Sequence, residues 1–202
     1  MTAGDGAAAG EGAVAMEERI AAYLRDQLNA PDLTLSGVER IAVGWSHETW
    51  LFDATFTQDG APRTEGYCLR RDPGNALLRE MSDLGTQFRV LRCLEPTAVP
   101  APRGWFFEDD PSILDSPFLV MEKVPGVCPS PWGRDGRRFY EEAAVRGDLP
   151  RAFTDALVTL HTLDWEEAGL GFLGVPEAGT GFALSEVAKW KRLIESTGVE
   201  PD

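Results

Sequence analysis

From Trp50 to Arg71 the sequence admits little but a β-hairpin. Trp50, Phe52, Ala54 and Phe56 alternate with Leu51, Asp53, Thr55 and Thr57, the period of two that gives a strand one apolar face. Asp59-Gly60 follows, a pair that accepts positive φ at both central positions of a tight turn, and Tyr67 to Arg71 returns alongside. A lone hairpin is marginal in water, so this one requires further strands and a covering layer. The flanking sequence supplies them. Val38 to Val43 reads as a preceding strand, and Gly104 to Glu108 and Pro117 to Glu122 read as two more, with a turn at Asp109-Asp110-Pro111.

Helical spacing appears on either side of the hairpin. Ile20, Tyr23, Leu24 and Leu28 share one helix face, and Asn29-Ala30-Pro31 ends that helix. Met81, Leu84, Phe88 and Leu91 predict a second helix over 77–94, stopped before Val99-Pro100-Ala101-Pro102. The resulting order is strand, strand, strand, helix, strand, strand, an α+β lobe with a five-stranded antiparallel sheet. Residues 1–16 are mostly Ala, Gly and acids and are expected to be a disordered tail. Residues 17–124 form the lobe with its preceding helix. Residues 125–202 read as a hinge, rich in Pro and Gly, followed by part of a helical lobe. There Phe153, Leu157 and Leu160 share a face, as do Leu184, Val187, Lys191 and Ile194.

Charge and composition exclude several classes of function. A formal net charge of −14 opposes a nucleic-acid partner, which needs clustered Lys and Arg, but not a nucleotide held by backbone N–H groups and one or two cations. Cys68, Cys93 and Cys128, with His47 and His161, have no metal-ligand spacing, so no metal site is expected from this chain, and free thiols fit a cytoplasmic protein. No apolar run reaches the roughly 20 residues of a membrane helix.

Several residues carry possible chemistry. In the loop Gly44-Trp45-Ser46-His47-Glu48-Thr49, Gly44 permits close backbone approach, and Ser46 and Thr49 offer hydroxyls; the same features suit a plain turn. Arg70 and Arg71 alternate to opposite faces of an apolar strand, and the one turned inward requires an anion, either a structural carboxylate or a phosphate. Glu80 and Gln87 flank the apolar stripe of the 77–94 helix. Phe118 to Met121 is an apolar strand that runs through Glu122 towards the Pro125-Gly126 break.

Taken in order and spacing, residues 36 to about 194 resemble the aminoglycoside phosphotransferase and choline kinase-like family, of protein kinase-like fold. The resemblance rests on Gly44-x-Ser46-x-Glu48-Thr49, Leu69-Arg70, Val99-Pro100-x-Pro102, Phe118-Leu119-Val120-Met121-Glu122 and Leu157-x-x-Leu160-His161-x-Leu163-Asp164-Trp165, with Leu170-Gly171-x-Leu173-Gly174 beyond. It implies an ATP- or GTP-dependent transfer, with Mg²⁺, to a hydroxyl of a small molecule. It assigns nucleotide contacts to Gly44, Ser46, Glu48, Thr49, Arg70, Gln87, Met121, Glu122 and Val124, the last two through backbone groups at the hinge. The chain departs from the family pattern in two places. Arg70 stands where a lysine is usual, and Gln87 stands where the helix usually carries Glu, which leaves Glu80 or Gln87 to partner Arg70.

The family's catalytic loop, His-x-Asp-x-x-x-x-Asn, is not written here. Asn29 and Asn75 are the only asparagines, and Leu24 and Arg70 stand five residues before them. The chain therefore reads as an N-terminal portion, inactive alone, with its metal ligands elsewhere; the alternative is a non-catalytic nucleotide-binding or regulatory module. Leu163-Asp164-Trp165-Glu166 imitates a metal-binding motif, but no catalytic loop precedes it, and Asp164 and His161 are read as structural.

Overall fold

The computed structural model describes residues 5–41, 47–72, 83–127, 129–130 and 132–174. Up to Leu163 these form one compact unit, and Asp164 onward a second. The first unit contains α1 (Asp5–Gln27), β1 (Thr34–Ile41), β2 (Glu48–Gln58), β3 (Ala61–Arg71), α2 (Leu84–Leu94), β4 (Gly104–Glu108), the one-turn α3 (Pro111–Leu114), β5 (Phe118–Glu122), α4 (Arg134–Arg146) and α5 (Asp148–His161). The five strands form one sheet in the order β1-β2-β3-β5-β4, and each neighbouring pair is antiparallel. The α+β lobe with a five-stranded antiparallel sheet is therefore as the sequence predicts.

The hairpin builds the core. Asp59 (φ 53°) and Gly60 (φ 77°) both take the left-handed conformation, the mirror-image turn whose twist matches that of the strands. Burial along β2 alternates as its sequence does, with Trp50, Phe52, Ala54 and Phe56 buried and the residues between them half-buried. These side chains meet Tyr67 and Leu69 of β3, Phe118 and Val120 of β5, and Ile20, Tyr23 and Leu24 of α1. Tyr23 sets its ring edge-on to Phe118, centroids 4.8 Å apart, and burial pushes its hydroxyl up to about 12. The core thus lies between α1 and one face of the sheet.

α2 packs against β4 and β5. Phe88 stacks on Phe107 at 6.1 Å, and a Cβ at Gly104 would lie 3.2 Å from both Leu91 and Phe88, so the missing side chain lets the helix seat. Asp83 caps α2, accepting the Gly85 N–H at 3.0 Å and the Thr86 hydroxyl at 2.5 Å. Those bonds, the Thr86 hydroxyl foremost, hold its carboxyl below the ordinary range.

Three boundaries differ from the sequence reading. α1 begins at Asp5, so most of the stretch expected to be a disordered tail is helical; alanine is the strongest intrinsic helix former. β1 begins at Thr34 rather than Val38, carried across a bulge between Ser36 and Glu39 by Gly37 at φ 60°. The Asp109-Asp110-Pro111 turn becomes α3, because Asp110 caps the Ser112 N–H at 2.8 Å and Pro111 opens the turn. The earlier part of the expected 77–94 helix, with Met81, lies outside the described residues up to Ser82, as do Leu184 and the residues after it. α4 and α5 pack on each other, yet α5 buries none of its residues, and Phe153, Leu157, Val158 and Leu160 stay exposed.

The described part of the second unit is a capped turn and a short 3-10 helix, Leu170–Leu173. Asp164 Oδ1 accepts the N–H groups of Glu166 and Glu167 at 3.1 and 2.9 Å. Its carboxylate is engaged in that local turn.

Candidate functional site

Strand register fixes which residues share the face opposite α1. Thr49 pairs with Arg70, and Arg70 pairs with Leu119, so all three stand in one row, turned towards α2. Arg70 is half-buried. Its Nη1 donates to Gln87 Oε1 at 3.0 Å, and its Nη2 lies 3.0 Å from His47 Nδ1. A guanidinium has donors only, so this contact is a hydrogen bond when Nδ1 accepts, which requires the neutral Nε2–H tautomer of His47. Among the described residues no carboxylate pairs with Arg70. The sequence left Glu80 or Gln87 as its partner; Gln87 makes the contact, and Glu80 lies outside the described residues.

Next to this row, between α2 and the sheet, is a cavity of about 350 Å³. Its polar lining is Arg70, Thr86 and Gln87; Val90, Leu91, Leu119 and Met121 supply apolar walls. Met121 stands opposite Cys68 in the β3–β5 register. Burial pushes the Cys68 thiol up, opposed by the charge of Arg70.

The strand end that leads to the hinge is fastened by four hydrogen bonds. Glu122 donates its N–H to the Arg103 carbonyl at 2.8 Å and accepts the Arg103 N–H on its carboxylate at 3.1 Å. Lys123 donates its N–H to the Gly66 carbonyl at 3.1 Å and lays its side chain across β3 to Asp53, Nζ to Oδ1 2.8 Å. A Cβ at Gly66 would meet Lys123 Cβ at 3.1 Å and Asp53 Oδ1 at 3.2 Å, so glycine clears the path of the strap. Val124 follows, 62% exposed.

Not every residue singled out from the sequence joins this set. Glu48 points the other way. Its carboxylate takes Arg71 Nη2 and Nε at 2.6 and 3.0 Å and Arg40 Nη2 at 2.6 Å. Arg71 also donates to the Leu114 carbonyl at 2.7 Å. Nearby, Asp115 grips Arg19 of α1 at 2.6 Å, and that bond holds the Asp115 carboxyl below its usual range. Gly44 and Ser46 lie outside the described residues. The structure therefore gathers Thr49, Arg70, Gln87 and Met121 along one face, with Glu122 and Val124 at the hinge, and sends Glu48 to the opposite side. The role of His47 escaped the sequence reading, although its spacing of two from Thr49 already put it on the Arg70 face.

Residues 37–196 match the model of the APH phosphotransferase enzyme family. The chain belongs to this family. Among curated relatives, acyl-CoA dehydrogenase family member 11 of Rattus norvegicus is 28% identical over 142 residues, covering 70% of this chain and 17% of that protein. The probable acyl-CoA dehydrogenase IBR3 of Arabidopsis thaliana is 28% identical over 172 residues, covering 79% and 18%. The chain thus spans less than a fifth of the length of these two relatives. A solved structure from Ralstonia eutropha JMP134, provisionally named an aminoglycoside phosphotransferase, superposes with a TM-score of 0.54 at 22% identity, over 91% of this chain and 48% of that one. That likeness is one of fold, and it agrees with the kinase-like lobe described above.

Proposed function

We propose that this phosphotransferase-family lobe binds ATP or GTP between the Gly44–Thr49 loop and the Glu122–Val124 hinge, and that the phosphoryl group goes to a hydroxyl of a small molecule. One observation carries the reading. Arg70 is a half-buried guanidinium held by two neutral acceptors, with no carboxylate beside it among the described residues. Removing a cation from water is costly unless an anion compensates, and a phosphate of a bound nucleotide is that anion. Thr49, beside Arg70, offers a hydroxyl, and the Val124 N–H, which makes no backbone bond among the described residues, suits a base. No cluster of His, Cys, Asp or Glu among the described residues is arranged to hold a metal ion, so no step is assigned to Mg²⁺ here. The part proposed for this lobe is positioning and charge stabilisation, which dominate phosphoryl transfer.

The alternative reading is a nucleotide-binding module without catalysis. Calorimetry with Mg·ATP is expected to show binding that Arg70→Ala weakens by about 1–3 kcal/mol, the scale of a charge-assisted hydrogen bond. Equal affinity in the variant removes Arg70 from the site. A panel of hydroxyl acceptors with ATP and GTP, run on residues 1–202 and on any longer product of the gene, separates the two readings: turnover by either excludes the module, whereas binding without turnover by both supports it.

A further inference from the structure

We infer that His47 is a positioning residue for the cation that meets the nucleotide, an inference that rests on the proposed nucleotide site. In its neutral form the imidazole holds one arm of the Arg70 guanidinium on the cleft face. Strand geometry puts it there. Glu48 is tied to the opposite face by Arg71 and Arg40, and successive side chains of an extended segment alternate. His47 therefore leaves the backbone on the side of Thr49 and Arg70, with Nδ1 3.0 Å from Nη2. Gln87 holds the other arm, Nη1, at 3.0 Å from a different element. One anchor leaves the guanidinium free to swing about it; two anchors, one on each terminal nitrogen, fix its plane. Neither anchor carries charge, so both orient the cation without spending its attraction for a phosphate. A long arginine side chain loses rotamer freedom when it is fixed in one place, and the two anchors remove part of that cost before the ligand arrives.

The experiment uses the full 202-residue chain and has two independent arms. In the free protein, long-range ¹H–¹⁵N NMR at neutral pH is expected to show His47 as the Nε2–H tautomer with a hydrogen-bonded Nδ1. Arg70→Met should abolish that signature while His161, exposed at the end of α5, is unchanged. In the second arm, calorimetry with Mg·ATP should show a dissociation constant roughly three- to tenfold higher in His47→Ala, the net worth of one hydrogen bond. His47→Asn, whose amide oxygen falls near the place of Nδ1, should recover to within about twofold. Matched thermal unfolding curves for the two variants show that folding is not what differs. A proton on Nδ1 in the free protein overturns the contact. The expected tautomer with unchanged affinity in His47→Ala overturns the positioning role. No binding of either Mg·ATP or Mg·GTP by the unaltered chain, with the tautomer as expected, overturns the nucleotide reading and this role together while leaving the contact standing.

Discussion

Replacing Arg71 by Met tests whether the α1 side of the sheet is held at this edge by charge or only by packing. Methionine keeps an unbranched apolar stem and deletes the guanidinium. Two bonds to Glu48, at 2.6 and 3.0 Å, and one to the Leu114 carbonyl, at 2.7 Å, disappear together. The Arg71 and Glu48 side chains are 15% and 18% exposed, so the pair lies nearer the buried limit, where removing one partner costs about 3–5 kcal/mol, than the surface limit of about 0–1 kcal/mol. Glu48 keeps Arg40 at 2.6 Å, so its carboxylate is not orphaned, and the loss falls to about 2 kcal/mol. Urea unfolding followed at the amides of Leu69 and Val120 measures the loss. A double-mutant cycle with Glu48→Gln should return a coupling energy of about 1–2 kcal/mol. A loss under about 0.5 kcal/mol, the usual scale of an exposed substitution, would refute the view that this pair ties β2 and β3 to α3.

Two further outcomes follow from other contacts. Asp83→Ala should cost about 1 kcal/mol at neutral pH through loss of the α2 cap. Because the folded state lowers the Asp83 pKa, that stabilisation is fully present above the ordinary aspartate value of about 3.9 and lost as the pH falls through the folded one; unfolding curves of the two proteins should converge in acid. Gly66→Val should destabilise by about 1–2 kcal/mol, since its Cβ meets Lys123 and Asp53 at 3.1–3.2 Å, while in Gly66→Ala the reduced chain entropy of the unfolded state offsets most of that clash; equal stability of Gly66→Val and the unaltered protein in urea would show that the strap yields freely.

The sequence was most legible where local chemistry and tertiary demand agree. The alternation of Trp50, Phe52, Ala54 and Phe56, the Asp59-Gly60 turn and the opposite faces of Arg70 and Arg71 all follow from strand period and turn sterics, which need no knowledge of neighbours. Boundaries were less legible. The start of α1 depends on alanine propensity, and α3 was concealed because an Asp-Pro pair serves a turn and a helix start equally well. Partner choice was least legible. Whether Glu48 faces a ligand or Arg71 depends on which strand lies beside it. That His47 and Gln87 hold Arg70, with no carboxylate beside it among the described residues, follows from the register between β2 and β3 and from the seat of α2 on β4, neither of which is written locally.

The bare flank of α5 divides the thermodynamics of the first unit. A helix of 14 residues with no buried side chain is close to the length at which an isolated helix is marginal in water. Its opening exposes little new apolar surface and breaks none of the sheet. Its amides therefore exchange with solvent through local fraying, whereas those of β2, β3 and β5 wait for the whole lobe to unfold. No single free energy describes both events. A far-UV signal, weighted towards α1, α4 and α5, will melt over a broader range than the sheet amides, and the gap between the two curves measures how weakly α5 is coupled to the lobe.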